Sequence, residues 1–416
     1  MPVTQAECDG WRDDMIYLDH NGSTPLADGV REAMLPYLEW NHANPSGVHR
    51  AARMARDAVE QAREQVAALV NAHPGQVIFT SGATEANNLA LQGWFLAYEG
   101  AFEGATASAG VRRTLAVSAV EHASVLEPAR ALARRGAALV TIPVDKDGRV
   151  EAARLERVLA DVAGSAEPAG RVLVSVMSAN NETGVIQDLA MVAARARAAG
   201  AWLHTDAAQA AGKIEVDFAA SGVHLMSLSA HKINGPKGVG ALVVDRTVPL
   251  APLHLGGGHE RGLRAGTENV AAIAGFGAAA EIARCELEAR QARLAALRGH
   301  LEERLRALPG VVLFAEAAPR LPNTVCLAVP GLDGETLVMR LDRRDIALSS
   351  GANCSEGKGE PSHVLLAMGI PADLARCAVR VSLGLGNTRA DVDALIDALA
   401  EEIAALSVPA AAWAAL

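Results

Sequence analysis

Two side chains 26 residues apart set the chemical problem: Asp206 ends the apolar run WLHTD, and Lys232 follows the apolar run HLMSLS. A carboxylate at the end of such a run bears a desolvation penalty unless a cation or a strong donor meets it. A lysine in so apolar a setting has either a charge partner or a depressed pKa, the property that makes an amine nucleophilic toward carbonyls. Three more runs end in polar groups. In FTSGATEANNLAL, Ser81 to Thr84 open a helix, and the free N–H groups there, with glycine allowing close approach, would seat a phosphate or serve simply as an N-cap. His122 follows the run SAV, where a lone histidine is either structural or catalytic. Asn180 and Asn181 follow SVMSA, and adjacent amides there either build a turn or face a polar ligand. Ser229 and His231 lie beside Lys232.

A thiol poses a separate question. Cys354 sits in SGANCSEGKGEP among glycine, serine and charged residues, whereas Cys326 in NTVCLAV and Cys377 in LARCAVRVSL lie in apolar runs and read as buried core. The five cysteines are odd in number and contain no CxxC pair, which argues for free thiols in a reducing compartment and against a zinc site.

The elements that must position these groups are legible as alternation. From about residue 76 to 245, the β-rich runs QVIFT, TLAVSA, ALVTIPV, RVLVSVM, WLHTD, HLMSLS and GALVVD are separated by alanine-rich amphipathic stretches. That pattern predicts an α/β domain with a mostly parallel seven-stranded sheet between helices, whose ligands bind beyond the carboxyl ends of the strands. After the glycine-rich passage LGGGHERGLRAGTENV comes a long helical segment, about 268–308, followed by strands near VVLF, NTVCLAV, DIALSS and AVRVSL. Residues 16–265 are therefore read as a large cofactor-binding domain, and 1–15 with 266–416 as a smaller α+β domain carrying the cysteine loop, about 350–361.

At 416 residues, half of them apolar, the chain has ample core. Its net charge of −10 and pI near 5.7 argue against nucleic acid and anionic membrane as partners. With no run of about 20 apolar residues and no secretory start, a cytoplasmic protein is expected.

Together the strand-end groups match what pyridoxal 5'-phosphate requires: a helix N-terminus for the phosphate, a carboxylate for the pyridine nitrogen, and a lysine for the Schiff base. In order, TSGATE, EH, NNETG, DxxQ, SxHKxxGPKG, GGGHERGLRAGT and SSGxxC resemble the cysteine desulfurases of the nitrogen-fixation and iron–sulfur-cluster type, class V aminotransferases of fold type I. The resemblance implies that Lys232 forms the internal aldimine, that Asp206 pairs with the pyridine nitrogen, and that Gln209 bonds the phenolic oxygen. It implies that His122 stacks on the ring and that Ala83, Thr84, Ser229 and His231 hold the phosphate. It further implies a homodimer in which Thr267 reaches the neighbouring subunit's phosphate, and a substrate carboxylate gripped by Arg380 with Asn181. The implied reaction converts L-cysteine to L-alanine and a persulfide on Cys354, for a sulfur-acceptor protein in iron–sulfur cluster assembly or another thio-modification pathway. A transaminase, a selenocysteine lyase and a non-catalytic scaffold are the competing readings; the intact set Lys232, Asp206, His122, Arg380 and Cys354 argues against the last. Lys213 and Lys237, each beside a glycine, are read as loop residues, and His259 and Arg261 as either catalytic or interfacial.

Overall fold

The computed structural model describes residues 15–97, 113–163, 171–350 and 360–406. A short strand β1 (Ile16–Tyr17) precedes seven strands, β2 (Val77–Thr80), β3 (Thr114–Ser118), β4 (Ala138–Ile142), β5 (Val172–Ser175), β6 (Trp202–Asp206), β7 (Leu225–Ser229) and β8 (Gly240–Val244). They form one sheet in the order β2-β8-β7-β6-β5-β3-β4, in which only β8 runs against the rest. The mostly parallel seven-stranded sheet expected from the sequence is present, on the very runs that predicted it.

Residues alternate faithfully between two cores. Val77, Phe79, Ala116, Val174, Leu203, Met226, Leu228, Ala241 and Val243 face one side. Ile78, Leu115, Val117, Leu173, Leu225, Leu242 and Val244 face the other. With helices over both faces, the strands are buried throughout and carry the near-continuous Val/Leu/Ala composition that such burial demands. On the first side lie the helices Arg50–Leu69 and Val270–Cys285, which contribute Val59, Val66, Ile273 and Phe276. On the second lies a continuous helical stretch from Ala83 to Ala97, with a π turn at Leu89–Gly93, beside Ala123–Arg134.

A third core belongs to the C-terminal part. There β9 (Val312–Leu313), β10 (Thr324–Ala328), β12 (Ser349–Ser350) and β13 (Ala378–Ser382) form an antiparallel sheet, while β11 (Ile346–Ala347) pairs in parallel with β1. The helices Leu287–Arg306, Gly334–Asp342 and Arg389–Leu406 cover it, burying Leu301, Leu305, Leu337, Leu341, Leu395 and Leu399. The single long helix read at about 268–308 is two helices meeting at Glu286. The first packs in the large-sheet core and the second in the C-terminal one, so the chain must turn where it passes between them.

Leu18 is buried in this third core, and the chain beyond it passes directly to the junction with the large sheet. Gly384 marks how closely the two parts meet: a Cβ there would lie 2.0 Å from the His20 ring. Cys326 and Cys377 are buried, as their apolar runs predicted.

Candidate active site

A cavity of about 550 Å³ opens at the carboxyl ends of β2, β3, β5, β6 and β7. Sequence-read residues Ala83, Thr84, His122, Asn181, Asp206, Gln209, Ser229, His231, Lys232 and Arg380 all line it. Parallel topology explains the gathering. Each β-run ends on the same edge, and the first residues of each following loop share that edge although they lie far apart in sequence.

Gly82 closes the turn from β2 into its helix with φ +153°, a conformation open essentially to glycine, and a Cβ there would meet no protein atom within 4 Å. Glu85 fixes this turn by accepting from the Ser81 N–H at 2.8 Å and from Arg264 Nε at 2.9 Å. The first-turn amides are thus presented to the cavity, and the GLRAGT passage is tied to them.

Asp206 is buried, with Oδ1 accepting from the Ala208 N–H at 2.9 Å and Oδ2 from Asn87 Nδ2 at 2.7 Å. These donors offset the desolvation of a carboxylate at a strand end. Asn87 also donates to Ser124 Oγ at 2.8 Å, and Ser124 in turn meets His122 Nδ1 at 2.8 Å. His122 caps the helix Ala123–Arg134, its Nδ1 accepting from the Ser124 N–H. The neutral ring therefore carries its proton on Nε2. Burial holds the His122 pKa below its ordinary value, against the opposing pull of Asp206 and aided by Lys232. Burial, with Lys232 and Lys237 nearby, likewise lowers His231 to about 4.

Lys232 Nζ donates to the carbonyls of Asn21 and Gly22, the latter at 2.7 Å. Arg380 donates through Nη1 to the Asn181 carbonyl at 3.0 Å and through Nη2 to Asp19 at 2.5 Å, while its buried Nε has no partner among the described residues. The contact with Asn181 is thus made by the backbone. Cations crowd the pocket, with Lys232, Lys237 and Arg380 on its walls, which suits a ligand bearing several negative charges.

Two sequence-read residues stand apart. Thr267 lines a separate cavity of about 170 Å³, together with Ser81, Gly238 and Arg264. Cys354 lies outside the described residues. The described chain on either side of it is anchored beside the pocket: Ser349 pairs with Arg380 across β12 and β13, Ser362 Oγ donates to Glu182, and His363 Nε2 meets the Glu121 carbonyl at 2.9 Å.

Several functional neighbours escaped the sequence reading. Asn21, 1 % exposed, is the junction of the site: its side chain bonds Lys213, Asn323 and Thr324, and its carbonyl accepts from Gln209 and Lys232. The signal was a polar triplet, DHN, directly after an apolar run, as at the five strand ends. Asn87 carries no distinguishing local signal, since Thr84, Glu85 and Asn88 share its short helix. Lys213 does lie in a turn, as expected, but is buried between Asn21 and Gln209, because the N-terminal segment and Asn323 cover that turn. His259 and Arg261 lie outside the main pocket, where Glu260 is buried against Arg63.

A sheet of this topology with a strand-end aspartate and lysine at its carboxyl edge defines a fold-type-I enzyme. The family described as aminotransferase class-V matches residues 16–395. A cysteine desulfurase IscS of an Anaeromyxobacter species is 42% identical over 392 residues, covering 93% of this chain and 92% of the relative. Among solved structures, a NifS-like protein superposes with a TM-score of 0.83 at 33% identity, covering 94% of this chain and 99% of that one. SspA in complex with cysteine superposes at 0.73 with 31% identity, covering 88% and 98%. The chain belongs to the class-V aminotransferases, in their cysteine desulfurase branch.

No helix among the described residues is long and apolar enough to cross a membrane, and no cluster of potential metal ligands occurs among them.

Proposed function

We propose that the pocket holds pyridoxal 5'-phosphate on Lys232 and that the protein takes sulfur from L-cysteine, leaving L-alanine and a persulfide on Cys354. The observation that carries this reading is the convergence of Lys232, Asp206, Gln209, His122 and Arg380 on one cavity. The donor set fits the cofactor. The glycine turn and first-turn amides suit its phosphate, the donor-bound carboxylate suits a protonated ring nitrogen, and the amide suits a phenolic oxygen. When bound there, the cofactor supplies an electron sink at the substrate α-carbon.

The chain's own groups do the rest. Ala83, Thr84, Ser229 and His231 would hold the phosphate, and Asp206 would keep the ring nitrogen protonated. His122 would lie against the ring, its Nε2 proton available for transfer. Arg380, on the pocket wall with Nη1 on the Asn181 carbonyl, grips the substrate carboxylate, and Asn181 supports it. Lys232 moves the substrate α-proton. The Cys354 thiolate attacks the substrate sulfur, so that an S–S bond forms as the carbon–sulfur bond breaks. The electron pair of the broken bond stays with the carbon fragment, which takes a proton and leaves as alanine. No outside oxidant is needed. Ser350, four positions before Cys354 in the sequence, ends the strand whose Ser349 pairs with Arg380.

The solved complex of SspA with cysteine supports the substrate assignment. The IscS relatives support delivery of the sulfur to an acceptor protein. A homodimer, in which Thr267 reaches the neighbouring copy's pocket, completes the proposal. Its test is to incubate the protein with L-cysteine and a thiol reductant and to quantify alanine and sulfide. Equimolar products from the native chain, both lost in Cys354→Ala, are expected; sulfide production that survives in Cys354→Ala overturns the persulfide.

A further inference from the structure

The proposed chemistry employs Lys232 and leaves a second buried amine, Lys213, without a task. Lys213 follows Gly212, whose φ is +72°, four residues beyond Gln209 in the same turn region, and is 7 % exposed. Its Nζ donates to Gln209 Oε1 at 2.7 Å and to Asn21 Oδ1 at 2.8 Å. Both acceptors are neutral amides, and no carboxylate among the described residues pairs with it. Lys232, Arg380, His20 and His231 face it from four different segments, with Arg290 across a small cavity and Asp206 as the pocket's buried carboxylate. Burial, then the charges of Lys232 and Arg380, hold the Lys213 pKa well below that of an ordinary lysine. An amine so placed is a donor of hydrogen bonds first and a charge second.

The geometry has a consequence for Gln209. An amide can turn either its oxygen or its nitrogen toward a ligand. A lysine N–H can approach only the oxygen, so Lys213 claims Oε1, and Nε2 must take the remaining side. One Nε2–H goes to the Asn21 carbonyl at 2.9 Å, and the second is left for the pocket that Gln209 lines. Asn21 in turn is held by Asn323 Nδ2 at 3.1 Å and by its own donation to Thr324 at 2.8 Å. The whole unit is therefore locked from both parts of the fold.

We propose that Lys213 is a positioning residue that fixes the Gln209 amide so that the pocket meets a donor and never an acceptor, and thereby favours a deprotonated oxygen on the bound ligand. The inference rests on the cofactor reading, in which that oxygen is the phenolic oxygen of pyridoxal phosphate. A donor aimed at it stabilises the full negative charge it bears once the lysine–cofactor linkage has lost its proton, and so lowers the pH of that loss.

The test is a spectral titration of the reconstituted protein, following the visible band of the lysine-bound cofactor against pH. Lys213→Met is expected to raise the transition pH by about one unit, the size expected when a hydrogen bond to a charged group is lost. Gln209→Ala should raise it comparably, and Gln209→Ala/Lys213→Met no further than Gln209→Ala alone. A mere charge effect of Lys213 would add in full to that of Gln209→Ala. Full additivity, or an unmoved transition in Lys213→Met, overturns the proposal. If the methionine variant does not hold the cofactor, Lys213→Gln replaces it in the same cycle with the same non-additivity required. A native protein without any visible band refutes the cofactor reading itself, whereas a native band with additive variants refutes this inference alone.

Discussion

Replacing Glu260 by glutamine tests how the HERG turn is held. Glu260 and Arg63 form a two-point pair, Nη1 to Oε2 and Nη2 to Oε1 both at 2.8 Å, with side chains 3 % and 5 % exposed, and the Phe79 N–H gives Oε2 a further donor at 2.8 Å. Removing one charge leaves the buried guanidinium with Glu60 as its remaining counter-ion, a 56 % exposed carboxylate 3.2 Å from Nε, so the cost falls at the lower end of the range of about 3–5 kcal/mol for a fully stripped pair. The turn has little to fall back on. Glu260 and Arg261 sit at φ +46° and +59°, and two successive non-glycine residues in that region cost about 1 kcal/mol each or more. In urea unfolding followed by tryptophan fluorescence, Glu260→Gln is therefore expected to lose about 3 kcal/mol. The double variant Arg63→Met/Glu260→Met should recover all but about 1 kcal/mol of it, the residue being the lost acceptor of the Phe79 N–H. Because the same passage runs on to Arg264, which grips Glu85 at the helix start, the single variant should also shed cofactor faster on dialysis. A Glu260→Gln protein within 1 kcal/mol of native would refute the reasoning, since the exposed Glu60 carboxylate on Nε cannot replace a buried two-point partner.

Borohydride reduction of the cofactor-loaded protein followed by peptide mapping should place the pyridoxyl group on Lys232; its appearance on Lys213 or Lys237 would contradict the site as described. Glu121, fully buried with Oε2 unpartnered among the described residues, has its pKa raised by burial to about 7, so the native state holds more protons than the unfolded chain between about 4.5 and 7. Its stabilising contribution is complete below 4.5 and lost as pH rises through 7, so Glu121→Gln should gain on the native protein by about 3 kcal/mol between pH 4.5 and 7.5, read from paired urea curves. His204 acts in the opposite sense: buried neutral with a pKa near 4, it withdraws stability as pH falls from 6.5 toward 4, and His204→Gln should flatten that acid loss.

The sheet was legible because strands buried on both faces must be apolar along their whole length, and the seven runs are separated by helices long enough to cross back. The pocket was legible for the same reason: a polar residue at the end of such a run has no inexpensive explanation, and Asp206, His122 and Lys232 stood out against it. What the sequence concealed depends on contacts between distant segments. Nothing local marks Glu286 as a helix break, since the turn is required by two cores lying on different sides of it. Lys213 beside a glycine looks solvent-facing until Asn21 and Asn323, 192 and 110 residues away in the chain, close over it. Asp19 as the counter-ion of Arg380 lies 361 residues from its partner, beyond any local pattern.

Asn21 has a bearing on how the protein is made. The peptide that receives Lys232 and Gln209 is itself held in place by Asn323, Thr324 and Ser382, so residues from the first twentieth of the chain cannot settle until the last tenth has been synthesised. While the ribosome is still at work, the large sheet can assemble around its strands, yet the lysine stays untethered and the pocket unfinished. Completion of the pocket thereby waits on β13, and a product ending before that strand would lack both Arg380 and the Ser382 that holds Asn21.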